Sequence, residues 1–211
     1  MTEQLKIENI VRNTRRYWYI DGLSEIAGGI IIFLGGFSYY LVSTMNNSAL
    51  KYILLIVVQP VIIIGGSLLV RKILPLIKER LTYPRTGYLT FRRPARNNRW
   101  KRIFLVVSVA VAVSIVVTFI TDALPERLLP FITACFLMLF SAYLGYQNSV
   151  PRFYWSGLFM LLLGAWIAYL NPAGPLPYMY LFTGTGLIWI LSGLITLILY
   201  IRKTNPIVEE S

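Results

Sequence analysis

Histidine is absent from this 211-residue sequence, and cysteine occurs only once, as Cys135. The lack of histidine removes the commonest metal ligand and the usual acid–base group near neutral pH. A single cysteine cannot form a disulfide within the chain. The remaining residues show neither a cluster with metal-ligand spacing nor a nucleophile beside a base. The sequence therefore predicts no catalytic residue, no metal site and no cofactor.

Charged residues are also scarce, at 14% of the chain, whereas an ordinary soluble domain has about 25%. Hydrophobic residues make up 56%, in blocks of about 20, the length that a helix needs to cross a bilayer. These blocks predict an all-α polytopic integral membrane protein, a single domain with a bundle of six transmembrane helices. The predicted spans are 22–44, 50–74, 103–121, 127–147, 153–170 and 178–201.

The distribution of lysine and arginine predicts the orientation of these spans. With six spans, both termini, the polar segment 72–102 and the turn after the fourth span share one side, which carries 18 of the 20 basic residues. Only Lys51 and Arg127 fall on the other side. We therefore expect a multi-pass protein of the cell membrane, with 1–21 and 202–211 in the cytoplasm. The same asymmetry explains the net charge of +11 without a nucleic-acid partner.

Two carboxylates stand at the start of the first span, in the stretch DGLSE. Asp21 and Glu25 are four residues apart and share a helix face. Asp21 can cap the helix start. Glu25 lies one turn deeper, where a carboxylate must pair, face water or take up a proton. Two roles stay open: a structural ion pair with an arginine of the long loop, or a role in proton or substrate coupling.

Gln59 and Pro60 interrupt the second span. Proline removes a backbone hydrogen bond and kinks a helix, and Gln59 places an amide within the hydrocarbon. Such a site either only shapes the helix or lines a transport path.

Paired glycines mark smooth faces on the first two spans: Gly28 and Gly29, Gly35 and Gly36, Gly65 and Gly66. Because lipid gives little hydrophobic drive between helices, close backbone approach at small residues dominates their association. We therefore predict helix packing at these six positions, with a homodimer face or a sliding gate as alternatives. Glycines seven residues apart also recur in three spans: Gly22 and Gly29, Gly157 and Gly164, Gly186 and Gly193.

The segments RYWYIDG (16–22) and YPRTGY (83–88) resemble a group of small bacterial polytopic membrane proteins that is itself uncharacterised and has no assigned activity. The resemblance implies that the acidic helix start and the Tyr-Pro-Arg turn belong together. We accordingly expect Arg85, or a neighbouring loop arginine, to pair with Asp21 or Glu25.

Three functions remain open. The first is a non-enzymatic accessory or interaction protein that docks through the basic loop, 72–102, on a soluble or membrane protein or on a second copy. This loop would also attract anionic lipid headgroups. The second is a small permease or channel in which Glu25 and Gln59 line a path. The third is a lipid-modifying membrane enzyme whose pocket combines Asp21 or Glu25 with arginines.

Overall fold

Five long helices form the part of the chain that the computed structural model describes, residues 19–81 and 125–204. They are α1 (Leu23–Ser43), α2 (Ser48–Leu81), α3 (Leu129–Asn148), α4 (Arg152–Leu170) and α5 (Leu176–Lys203). A 3₁₀ turn, Glu126–Leu128, leads into α3. All five helices are long and apolar enough to cross a membrane, which confirms the predicted all-α class. The predicted span 103–121 and Arg85 lie outside the described residues.

The helices end at polar residues in turns. Asn47 caps α2, because its side chain accepts the N–H of Leu50 at 3.1 Å. Ser149 ends α3 with φ 55°, and Asn171 ends α4 with φ 46°. The left-handed conformation at a helix end satisfies carbonyl groups of the last turn. The helix bounds leave only short connections before α2, α4 and α5.

The helix α2 is longer than the sequence predicts. The predicted span stops at 74 and the predicted loop starts at 72, but the helix continues to Leu81. The polar residues of this extension are lysine, arginine and glutamate, which favour a helix about as well as leucine does. The polar residues therefore end the apolar span without ending the helix. The whole of α2 has 34 residues and is about 50 Å long at the rise of an α-helix.

A π-helical turn, Val61–Gly65, interrupts α2 directly after Pro60. Proline has no N–H to donate and its ring clashes with the preceding turn. The hydrogen-bond register shifts locally, as it does in other π-bulges. The predicted kink thus takes the form of a widened turn within a continuous helix.

Across the bundle the helices follow the order α2, α1, α5, α4, α3. The largest contacts are between α1 and α5 and between α3 and α4. Smaller contacts join α2 to α1 and α4 to α5. The first and last described helices are therefore central neighbours, and α2 and α3 lie at opposite edges of the row.

Glycines bring α1 and α5 into backbone contact. The antiparallel contacts pair Gly22 with Gly193, Gly29 with Gly186, and Gly36 with Thr183. A Cβ added at Gly29 or at Gly186 would lie 2.7 Å from the carbonyl oxygen of the other glycine, so a larger residue would force the helices apart. The seven-residue spacing keeps these glycines on one face of each helix.

The other predicted glycines have different neighbours. Gly28 lies against the ring of Trp189, where an added Cβ would be 3.1 Å away, and Gly66 lies against the side chain of Ile31. Gly35 has only the amide of Gln59 nearby, at 3.7 Å, and a Cβ at Gly65 would meet no described atom within 4 Å. Both glycines of the first pair therefore lie close to α5, whereas only Gly36 and Gly66 of the other two pairs make a close approach. In α4, Gly157 and Gly164 likewise lie against α3.

The two ends that flank residues 82–124 are far apart. Lys78, near the end of α2, contacts Asp21 at the start of α1. The start of α3 lies at the opposite end of the bundle, because Pro130 neighbours Gly164 in the second half of α4. Leu81 and Pro125 therefore lie at opposite ends of the described bundle.

Candidate functional site

Asp21 is completely buried in the turn that begins α1. Its Oδ1 accepts the N–H of Leu23 at 3.2 Å, one of the first-turn donors that a helix leaves without an intrahelical partner. The Nζ of Lys78 lies 3.0 Å from Oδ2 and 3.2 Å from Oδ1. The Lys78 side chain is only 2% exposed. This ion pair thus joins the start of α1 to the last turns of α2 away from water.

Glu25, one turn further along α1, is 2% exposed and pairs with Arg152 at the start of α4. The Arg152 Nε donates to Glu25 Oε1 at 2.6 Å, and Nη2 lies 2.5 Å from the same oxygen. The hydroxyl of Ser192 donates to Oε2 at 3.1 Å. Both carboxylate oxygens are therefore hydrogen-bonded, and Glu25 connects α1 to α4 and α5.

Arg152 also reaches back to the chain before α1, because its Nη2 donates to the carbonyl oxygen of Tyr19. The Tyr19 ring packs edge-on against Phe153 at 5.6 Å, and Phe153 packs edge-on against Trp189 at 6.0 Å. Burial, and after it the charge of Glu25, raises the pKa of the Tyr19 hydroxyl above its usual value. The Tyr19 hydroxyl is therefore neutral. The rings of Tyr19, Phe153 and Trp189 form an aromatic cluster beside the ion pair of Glu25 and Arg152.

Within each of the two ion pairs, the charge of the carboxylate is compensated by the charge of its cation. An isolated charge buried away from water costs several kcal/mol, and a close opposite charge with further hydrogen bonds offsets that cost. Asp21 and Glu25 each have one cation, so the four side chains sum to zero. We refer to Asp21, Glu25, Lys78 and Arg152 as the ion-pair cluster.

Arg152 is the member of the ion-pair cluster that meets the surface, with 26% of its side chain exposed. It lines a half-open pocket of about 250 Å³ together with Tyr19, Ile20, Val150 and Pro151. The pocket lies between the start of α1 and the α3–α4 turn. Glu25 is not among the described residues that line this pocket.

Gln59 lies far from the ion-pair cluster, at the contact of α2 with α1. Its Nε2 donates to the carbonyl oxygen of Gly35 and to the hydroxyl of Ser38, both at 3.2 Å. The Ser38 hydroxyl donates to the same carbonyl at 2.9 Å. The amide that the sequence places within the hydrocarbon is therefore used to hold two helices together.

The structure brings Asp21 and Glu25 to one end of the bundle but gives them separate partners, Lys78 and Arg152. Arg85, the partner expected from the sequence, lies outside the described residues. Sequence reasoning assigned Lys78 and Arg152 only to membrane orientation and so missed their pairing. Lys78 follows Leu74 by four residues and shares its helix face, but the burial of that face is visible only in the structure.

In chemical terms the cluster is built to connect helices. Each carboxylate already accepts hydrogen bonds from a cation and from a further donor. In the described ranges, no three histidine, cysteine, aspartate or glutamate residues are placed to hold a metal ion. The geometry therefore gives neither carboxylate the position of a metal ligand or of an open general base.

Comparison of the chain with protein-family models, with curated proteins and with solved structures finds no match. The interpretation of the site therefore rests on the geometry described above.

Proposed function

We propose that this chain is a non-enzymatic accessory or interaction protein of the cytoplasmic membrane, which presents its basic segment 72–102 to a protein partner. One observation carries this proposal. The polar side chains of the helices that sequence reasoning singled out, Asp21, Glu25 and Gln59, are engaged with neighbouring helices of the same chain. Polar side chains that connect neighbouring helices make the bundle rigid, and a rigid bundle is suited to support a docking segment.

The proposed topology has six spans with both termini in the cytoplasm. It is supported by the positions of 81 and 125 at opposite ends of the bundle, which favour a crossing by the predicted span 103–121. It is also supported by charge, because the described basic residues separate between the two ends. Lys51 and Arg127 are in one half of the bundle, and the other half has Arg71, Lys72, Lys78, Arg80, Arg152, Arg202 and Lys203.

Cysteine labelling in intact cells tests this topology. In a Cys135→Ser background, a membrane-impermeant maleimide should label Asn47→Cys, Pro125→Cys and Asn171→Cys. It should label Thr204→Cys only after the cells are opened. Labelling of Thr204→Cys in intact cells would contradict the orientation, and protection of Pro125→Cys would contradict the sixth span.

Site-specific photocrosslinking tests the docking role. A photoreactive amino acid placed at Thr90, within the basic segment, should give a discrete protein-sized adduct in cells. The same amino acid at Asn47, at the opposite end, is the matched control and should give none. An adduct at neither position, or equal adducts at both, would contradict docking through this segment.

A small channel or permease is the second candidate, and the π-helical turn after Gln59 favours it. Such turns are frequent at functional sites. In planar bilayers, this candidate predicts an ion conductance that Gln59→Leu abolishes while Ser67→Ala, on the same helix, leaves it unchanged. A bilayer with purified protein and no conductance would count against it.

A further inference from the structure

We propose that the pocket between the start of α1 and the α3–α4 turn binds the headgroup of an anionic phospholipid, with the Arg152 guanidinium facing the phosphate. This site is distinct from the basic segment and does not depend on the docking function. The described residues that line it are Tyr19, Ile20, Val150, Pro151 and Arg152.

The size and walls of the pocket suit a headgroup. Its volume of about 250 Å³ is slightly below the range of sites for drug-sized molecules, which starts at about 300 Å³, so it suits a headgroup rather than a whole lipid. Val150 and Pro151 form apolar walls, and Ile20, 39% exposed, forms the rim. A phosphate with its glycerol substituent can therefore enter from the open side while the acyl chains remain outside.

Arg152 supplies preorganised donors to this pocket. A guanidinium has five N–H groups in a fixed plane. Nε and Nη2 are committed to Glu25 and to the Tyr19 carbonyl, whereas Nη1 has no hydrogen-bond acceptor among the described residues. Because Glu25 holds the guanidinium in place, a ligand does not have to order this side chain. Arginine is also the side chain best matched to phosphate geometry.

The surroundings place the pocket at the depth of lipid headgroups. Tyr154 and Trp155, two and three residues after Arg152, are 47% and 64% exposed, and such rings favour the membrane interface. The charge in this half of the bundle is positive among the described residues, since seven cations stand against three carboxylates. The cations are Arg71, Lys72, Lys78, Arg80, Arg152, Arg202 and Lys203, and the carboxylates are Asp21, Glu25 and Glu79. An anionic headgroup is thus favoured over a zwitterionic one.

Native mass spectrometry of the full-length protein tests the proposal. The protein is purified in an uncharged detergent and supplemented with phosphatidylglycerol or phosphatidylcholine. We expect phosphatidylglycerol to be retained more strongly than phosphatidylcholine. Ile20→Trp, which fills the rim without touching the ion pair, should reduce this retention by about tenfold, the loss expected for one charge-assisted hydrogen bond. Arg152→Lys should reduce it comparably, because lysine keeps the charge but lacks the planar donors.

The matched control is Ile53→Trp, which introduces the same side chain at an exposed position of α2 and should leave retention unchanged. Equal retention by Ile20→Trp and Ile53→Trp would overturn the proposal, and so would equal retention of the two lipids. Displacement of phosphatidylglycerol by inorganic phosphate alone would also overturn it, because the site would then recognise a free anion.

Discussion

Replacing Glu25 and Arg152, singly and together, measures how strongly their ion pair holds α1 to α4. Removal of one partner from a buried ion pair costs about 3–5 kcal/mol, because the other charge is left uncompensated. The two single changes are not equivalent here. Arg152→Gln leaves a carboxylate that is 2% exposed, and Ser192 is its one remaining side-chain donor in the part of the chain that the structure describes. We therefore expect this variant to lose the full amount.

Glu25→Gln should cost less, about 2–3 kcal/mol, because the guanidinium that remains can be hydrated from the pocket and a glutamine oxygen can still accept a hydrogen bond. The double variant, Glu25→Gln with Arg152→Gln, leaves no unpaired charge. It should therefore be about as stable as Arg152→Gln alone, with a coupling free energy of about 2–3 kcal/mol that offsets the cost of Glu25→Gln.

Reversible unfolding in mixed micelles of dodecyl sulfate and dodecyl maltoside gives the unfolding free energies for this cycle. The control cycle is Glu126→Gln with Arg127→Gln, a pair of adjacent exposed residues at the other end of the bundle. Its members should change stability by no more than about 0.5 kcal/mol each. If the Glu25 and Arg152 changes add within about 0.5 kcal/mol, the ion pair does not stabilise the bundle and the reasoning is refuted.

The same unfolding measurement checks three further predictions. Lys78→Met should lower the unfolding free energy by about 3–5 kcal/mol, because it removes the Lys78 cation from a buried carboxylate. The control is Lys72→Met at an exposed position, which should leave the unfolding free energy unchanged. Equal losses in the two variants would contradict the pairing of Lys78 with Asp21. Gly186→Ala should cost about 1–3 kcal/mol through a clash with the backbone of α1, whereas Gly65→Ala should be neutral or slightly stabilising. Thr185→Val should raise stability by about 1 kcal/mol, because the hydroxyl is buried without a hydrogen-bond partner among the described residues; a loss would show that it has one.

Hydropathy was sufficient to predict the long helices, because a span needs only length and apolar composition. The end of α2 was not predictable in the same way, since the residues after 74 are polar but favour a helix as well as apolar ones do. Glycine spacing predicted packing at six positions, but it could not predict that an added Cβ would meet close neighbours at Gly29, Gly36 and Gly66 and none within 4 Å at Gly65. That difference depends on the rotation of each helix about its axis, which is set by its neighbours.

The partners of the two carboxylates were beyond the reach of local patterns. Arg152 is 127 positions from Glu25, and Lys78 is 57 positions from Asp21. Charge counting treats each of these cations as an orientation signal, and that signal is the same whether the side chain faces lipid headgroups or a buried carboxylate. Only the packing order of the helices separates the two cases.

The position of the Asp21–Lys78 pair connects the ion-pair cluster to the proposed docking role. Lys78 lies one turn before Leu81, the last described residue of α2, so this pair fixes the point from which the rest of the basic segment 72–102 continues. Glu25 instead holds α4 and α5 on the other side of α1. The two carboxylates at the start of α1 thus have different structural roles. Asp21 fixes the end of α2, after which the basic segment continues, and Glu25 joins α1 to α4 and α5. A docking function through this segment depends on Asp21 more directly than on Glu25.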